Sequence, residues 1–205
     1  MKFGSGVKYF IPFAFLAIYL IPLSHLFFSQ PLGISLASKF AGVIAFLSIF
    51  TQVMLGAFRD FFKKIYNPLK VYWFHNYLGL FTFLLVLFHF LTKEFVWSNL
   101  MNIFLLNSGL GISLGVIALY VMALAVISSD LKYFFKININ YKIWHAMHLL
   151  NYSLFPIIYF HVLYLGTIFE SALNFYLITG LLIFASMAFV YRAFKIISLS
   201  KKINK

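Results

Sequence analysis

Six blocks of apolar residues, each long enough to cross a lipid bilayer as a helix, constrain this chain more than any other feature. A helix needs about 20 apolar residues to span a hydrocarbon core of ~30 Å. Runs such as FLLVLF do not alternate apolar and polar side chains, as the strands of a membrane β-barrel would. With 63% hydrophobic and 10% charged residues, the sequence predicts an all-α integral membrane bundle of six transmembrane helices. The predicted spans are 7–28, 36–58, 70–92, 110–128, 143–166 and 172–194.

The basic residues sort by side of the predicted membrane. Of the 16 lysines and arginines, 14 precede the first span, follow the sixth, or lie around the loops after spans two and four. Only Lys39 and Lys93 fall on the other side. Because basic loops stay in the cytoplasm, we expect both termini to be cytoplasmic. The net charge of +12 then describes a face against anionic lipid rather than a nucleic-acid surface.

Scarce residue types exclude several kinds of chemistry. The chain has no cysteine, which excludes thiolate catalysis and cysteine-ligated zinc or iron–sulfur centres on it. Its acids, Asp60, Glu94, Asp130 and Glu170, lie near predicted helix ends or in loops, so a carboxylate proton relay is not expected. No Gly-rich phosphate loop is visible. We expect residues 1–205 to form a single membrane domain whose electron or substrate carrier is another molecule.

Histidines are the most informative polar residues. Five of the six lie in spans three and five, where a polar side chain is costly without a partner. His75 and His89 are 14 positions apart, and His148 and His161 are 13 apart. The two spans run in the same direction, so the histidines lie at two matching depths, about 20 Å apart at ~1.5 Å per residue. We call His75 and His148 the inner pair, and His89 and His161 the outer pair.

Two facing imidazoles at each of two depths suit two six-coordinate haems stacked across a membrane. A single buried histidine could instead form a hydrogen bond with a neighbouring helix. At about 100° per residue, His75 and His89 share a face of one helix. His148 and His161 are ~140° out of phase on a straight helix. Pro156 lies between them and predicts a kink or bulge that corrects the phase.

Two further residues are candidates beside the inner pair. Gly79 lies one turn beyond His75, where it could let a flat macrocycle approach the backbone or could serve ordinary close helix packing. His145 lies one turn before His148 and could replace it as a ligand, hydrogen-bond a haem propionate, or be interfacial. We expect the last two roles. His25, near the outer end of span one, has no matching partner and is interpreted as interfacial.

Three segments resemble the ferric reductase-like transmembrane domain shared by ferric reductases, NADPH oxidases and MsrQ. The resemblance implies b-type haem, with His75 opposite His148 and His89 opposite His161 as axial ligands of the iron. It also implies an electron-transfer subunit that has no catalytic residue of its own and delivers electrons to a partner. The segments are TQVMLGAFRDF at 51–61, HNYLGLFTFLLVLFH at 75–89 and WHAMHLLNYSLFPIIYFH at 144–161.

Within that family, the size, the six spans and the lack of an attached dehydrogenase domain look most like the MsrQ branch, also called YedZ. That likeness implies two haems b, a flavin mononucleotide (FMN) and the bacterial cell inner membrane. It implies electrons from the quinone pool or a cytosolic flavin reductase, and delivery to MsrP, a periplasmic molybdoenzyme that repairs methionine sulfoxide. MsrQ often has a basic residue where this chain has His75. The four-histidine set is that of ferric reductases and oxidases, so a ferric or metal reductase or an oxidase-type core is the alternative.

A transporter or channel whose histidines bind a metal or relay protons is a hypothesis from another class. It predicts broken helices with carboxylates at the midplane and an internal repeat. Neither is visible in the sequence. A purely structural subunit would explain the hydrophobicity but not two matched histidine pairs.

Overall fold

All six predicted spans are helical in the computed structural model, where six segments are long and apolar enough to cross a membrane. Their bounds agree with the predicted spans to within a few residues, except that the helices of spans four and six extend further at their C-terminal ends. The chain is therefore a multi-pass membrane protein built as an all-α bundle. The described residues are 5–29, 32–93, 102, 106, 109–133, 135–165 and 171–203. The helices are α1 (Ser5–Ser29), α2 (Ile34–Ala57), α3 (Arg59–Ile65), α4 (Pro68–Leu91), α5 (Leu110–Tyr133), α6 (Tyr141–Leu149), α7 (Asn151–Leu165) and α8 (Ala172–Ile203).

The central helix of the bundle is α2. It packs against α1, α4, α7 and α8, and its side chains Leu47 and Phe50 are buried. Phe46 of α2 stacks on Phe155 of α7 with 4.7 Å between ring centroids. Large apolar side chains on the outside of the bundle, such as Phe28, are exposed. This distribution fits a bundle in lipid, because lipid tails are as apolar as the side chains that face them.

A short helix that the sequence did not predict, α3, connects α2 to α4. Its Asp60 accepts a hydrogen bond from Lys195 of α8 and lies 3.8 Å from Arg59. This hydrogen bond connects α3, which follows span two, to α8. We call this the basic end of the bundle, which carries Arg59, Lys63, Lys142, Arg192 and Lys195.

The fifth span is two helices, α6 and α7, separated by a turn at Leu150. The predicted distortion between His148 and His161 is therefore present, but it lies before Pro156, which is inside α7. A proline lacks an N–H, and its ring crowds the carbonyl one turn earlier, here that of Tyr152. Tyr152 lies inside α7, so the turn at Leu150 precedes the part of the helix that the proline affects.

Two helix pairs, α2 with α4 and α5 with α6 and α7, repeat one arrangement. The most extensive helix contacts join α2 to α4 and α5 to α7. Asn67 caps α4 and Asn140 caps α6, each accepting a hydrogen bond at 2.9 Å from the N–H two residues later. The absence of a visible repeat in the sequence was therefore misleading, because the matched residues are scattered among unrelated apolar ones. At an offset of 73 or 72 residues, the matches are Ser38 with Gly111, Gly42 with Gly115, Asn67 with Asn140, His75 with His148 and His89 with His161.

The repeat bears on the transporter hypothesis, which predicted a repeat, broken helices and midplane carboxylates. A repeated arrangement and one interrupted span, at Leu150, are present among the described residues. The carboxylates are not found at mid-membrane in the described part of the chain, where the acids are Asp60 on α3 and Asp130 in the last turn of α5. Glu94 and Glu170 lie outside the described residues. Among the described residues, the histidines are therefore the candidates for a functional site inside the membrane.

Candidate functional site

The inner pair meets near the basic end of the bundle. The rings of His75 on α4 and His148 on α6 have centroids 5.8 Å apart and planes inclined at 65°. Trp144 stacks on His148 at 5.3 Å and donates its indole N–H to Ser129 on α5, which holds the His148 ring in place. Nδ1 of each inner histidine is buried and has no hydrogen-bond partner among the described residues. Such atoms are unusual in a folded protein and point to a ligand that the chain does not supply.

A cavity of about 350 Å³ adjoins the inner pair, a size within the range of small-molecule sites. Both inner rings line it, next to aromatic side chains that include Trp144. Three cationic side chains also line this cavity. A flat, largely apolar ligand that carries anionic groups suits this combination. Other polar lining residues include Gln52, Asn76, His145, Asn151 and Tyr152, and the cations are Arg59, Lys63 and Arg192.

Gly79 and His145 both line this cavity. A Cβ at Gly79 would lie 3.4 Å from Oε1 of Gln52, so α4 approaches α2 closely there, and both roles expected for this glycine stay open. The ring of His145 stacks on Tyr141 with 5.5 Å between centroids. Its role as a propionate partner stays a prediction.

The outer histidines are each fixed by a neighbouring helix. Nδ1 of His89 lies 2.7 Å from the carbonyl oxygen of Ser38 on α2. Nδ1 of His161 lies 2.8 Å from the carbonyl oxygen of Gly111 on α5. A carbonyl only accepts, so Nδ1 carries the hydrogen and Nε2 of the neutral ring keeps its lone pair. No ring contact joins the two outer histidines in the part of the chain that the structure describes, and their correspondence lies in their equivalent anchoring.

The donor set consists of pairs. No group of three or more His, Asp or Glu side chains that could hold a metal ion occurs among the described residues. Protein zinc sites take three or four side-chain ligands, whereas haem iron takes its protein ligands only at the axial positions. Fold and site together define a class of protein: a membrane helix bundle in which histidines of two different helices meet beside a cavity.

The comparison with known families narrows this class. A family model described as ferric reductase like transmembrane component matches residues 41–160. The chain belongs to this family and is a membrane core of the ferric reductase-like kind. The matched range contains three of the four paired histidines and ends one residue before His161. No curated protein and no solved structure matches the chain.

Several residues around the histidines were not predicted as site residues. Gln52, Trp144 and Arg192 reach the inner cavity from three different helices. Each is a common residue type, and no motif in the sequence around it indicates a role in a site. The small residues that contact the outer histidines, in SKFAG at 38–42 and GISLG at 111–115, were likewise not predicted as site residues, although their spacing of four positions is visible in the sequence.

Proposed function

We propose that this chain is a transmembrane b-type cytochrome that carries electrons from a donor at the basic end to an acceptor on the other side of the bacterial inner membrane. The observation that carries the proposal is the inner pair, with ring centroids 5.8 Å apart beside the cavity. An imidazole nitrogen lies about 2 Å from a bound transition metal, and the ring centroid about 1 Å further, so two imidazoles on one metal have centroids about 6 Å apart. Family membership supports the same reading.

In this proposal each histidine pair holds one haem b. His75 and His148 are the axial ligands at the inner level, and His89 and His161 those at the outer level. When bound, haem supplies one-electron chemistry. The chain's own residues supply the ligand nitrogens, fix their orientation and surround the site with apolar side chains, and these contributions tune the reduction potential.

The wall of the inner cavity offers partners for the anionic groups of a haem. Arg59 and Arg192 lie in that wall, and guanidinium groups pair well with carboxylates. His145 is a further hydrogen-bond donor there, and Gly79 leaves room for a flat ring. These residues are proposed to bind and orient the cofactor and are not proposed to react.

Haem content tests the two pairs. A pyridine haemochrome assay of the wild-type chain should give two haems per chain, and His148→Ala or His161→Ala should each give one, because a haem that loses an axial imidazole is held weakly. His25→Ala, outside both pairs, is the matched control and should keep two. A wild-type content of one haem, or an unchanged content in both variants, would contradict the two-level scheme.

For the partners, we infer an MsrQ-like role: electrons from the quinone pool or a cytosolic flavin reductase, with FMN as a second cofactor, and delivery to an MsrP-like periplasmic molybdoenzyme. The six spans and the ferric reductase-like family support this reading. The alternative is a ferric or metal reductase or an oxidase-type core, and the meeting of His75 with His148 favours it, because MsrQ often has a basic residue at the position of His75.

Reoxidation of the reduced chain distinguishes these functions. In vesicles reduced anaerobically with a quinol, an MsrP-type molybdoenzyme plus methionine sulfoxide should reoxidise the haem absorbance quickly, while ferric citrate or oxygen should act slowly. The reason is that a dedicated acceptor docks at the outer surface, whereas a small oxidant must reach buried haem. Equally fast oxidation by ferric citrate alone would support a ferric reductase, and by oxygen alone an oxidase.

A further inference from the structure

We propose that Gly42 and Gly115 are positioning residues for the outer pair. Each glycine, with the carbonyl of the residue one turn before it, forms a seat that fixes the tautomer and the rotation of one imidazole. The first seat is the Ser38 carbonyl with Gly42, and the second is the Gly111 carbonyl with Gly115. The inference rests on the proposed function in so far as the seated rings are taken to be haem ligands.

The first seat holds His89 against α2. Its Nδ1 hydrogen bond to the Ser38 carbonyl measures 2.7 Å, and the Ser38 hydroxyl also donates to the backbone carbonyl of His89 at 3.3 Å. Ser38 is fully buried. A Cβ at Gly42 would lie 2.9 Å from Nδ1 and 3.0 Å from Cε1 of the ring, closer than real Cβ atoms come. The ring therefore occupies the space that any other residue at position 42 would fill.

The second seat holds His161 against α5 in the same way. Its Nδ1 hydrogen bond to the Gly111 carbonyl measures 2.8 Å. A Cβ at Gly115 would lie 2.7 Å from Cε1 and 2.8 Å from Nδ1 of the ring. In both seats the glycine follows the carbonyl residue by four positions, so the two lie on one face of their helix, one turn apart. The second seat is the tighter of the two.

Close packing of small residues four apart is common between membrane helices, but it does not account for both seats. Packing alone requires contact and not a repeated N–H···O bond to the same ring atom. Other glycines behave differently: Gly180 on α8 faces open space, and Gly56 meets the hydroxyl of Tyr152. The contact of glycine with imidazole coincides in both seats with a hydrogen bond that sets the tautomer.

The seat has a chemical consequence for its histidine. With Nδ1–H donated to a carbonyl, Nε2 is the nitrogen left to bind a metal, and the hydrogen bond raises the basicity of the ring. A more basic ligand favours the oxidised state of a bound iron. Loosening a seat should therefore shift the midpoint potential of the outer haem upward. The inner histidines have no Nδ1 partner in the described part of the chain, so the same substitutions should leave the inner haem unchanged.

Glycine-to-alanine variants test the seats. Gly42→Ala and Gly115→Ala, made in a His148→Ala background so that only the outer haem is read, should raise its midpoint potential and change its low-spin EPR signal. The larger change, up to loss of that haem, is expected for Gly115→Ala because its seat is tighter. Gly180→Ala is the matched control and should leave potential and signal unchanged. Elution in detergent as a single symmetric peak confirms that each variant is folded.

A measurement on the haem-free chain keeps the two proposals separate. Histidine-selective ¹⁵N NMR should show the Nδ1–H tautomer at His89 and His161, and the loss of one such signal in Gly42→Ala. If the wild-type chain binds no haem, the proposed function is refuted. The seats are then tested by the tautomers of His89 and His161 alone. If haem binds but both alanine variants keep wild-type potentials, EPR signals and tautomers, the seats are refuted and the proposed function stands. A wild-type Nε2–H tautomer at both outer histidines refutes the seats even if the variants do not fold.

Discussion

The imidazoles of the two pairs depend on different neighbours for their orientation. The ring of Trp144 stacks on His148, whereas His89 and His161 form hydrogen bonds to backbone carbonyls. No substitution at Ser38 or Gly111 removes the carbonyl that anchors an outer histidine, whereas a substitution of Trp144 removes the stacking on His148. The two levels are thus chemically different, and the repeat relates the two histidines within each level rather than one level to the other.

Asp60 is a residue whose charge should matter for stability. The hydrogen bond from Lys195, aided by the nearby Arg59 and Arg192, lowers the pKa of its carboxyl below the ordinary value of 3.8. A group with a lowered pKa in the folded state stabilises it above its unfolded pKa and loses that contribution as the pH falls through the folded value. The contribution of Asp60 should therefore be complete near pH 7, begin to fall near about pH 4 and be lost as the pH falls through the lowered pKa of the folded state.

Asp60→Asn should lower the unfolding temperature near neutral pH. The expected loss is under about 1 kcal/mol, because both partners are partly exposed and the pair is screened by solvent. Thermal unfolding in detergent near pH 7 and near pH 3 measures it, and the wild-type and variant curves should converge at the lower pH. Lys64→Gln, a one-unit charge change on the same helix, is the control. A deficit that persists unchanged near pH 3 would show that the carboxylate charge is not its cause.

The helices that carry the histidines are variants of one element. Both begin at an asparagine cap, and they differ in that α4 is continuous while its counterpart is interrupted at Leu150. The uninterrupted helix has 14 positions between its histidines and the interrupted one has 13. A continuous helix with the shorter spacing would turn its second histidine ~140° away from the first. In the structure the turn at Leu150 lies between His148, which contacts His75, and His161, which bonds to Gly111.

The orientation of the whole molecule in the membrane is a prediction from its charges. Because the chain has no cysteine, single cysteines can report it without background labelling. Lys64→Cys, at the basic end on α3, should react with an impermeant maleimide only in inside-out vesicles. Leu32→Cys, 83% exposed between α1 and α2, should react in intact spheroplasts. The reverse labelling pattern would place the termini outside the cytoplasm and reverse the proposed direction of electron flow.

The six spans and the two expected depths of the histidines follow from the sequence alone. Apolar length decides what enters a bilayer, and position along a helix fixes depth at ~1.5 Å per residue. The sequence also predicted a distortion between His148 and His161. The location of this distortion at Leu150, the short helix α3 and the internal repeat could not be predicted from local sequence patterns.

The tertiary structure decided which groups meet. The contact of His75 with His148 and the anchoring of His89 on Ser38 join helices that are distant along the chain. Hydropathy carries no information about such contacts, because lipid and the apolar face of a neighbouring helix are equally favourable surroundings for an apolar side chain. Small residues that permit close approach, and hydrogen bonds that must be satisfied inside the bundle, select one arrangement of helices, and only in that arrangement do Gly42 and Gly115 lie against the outer histidines.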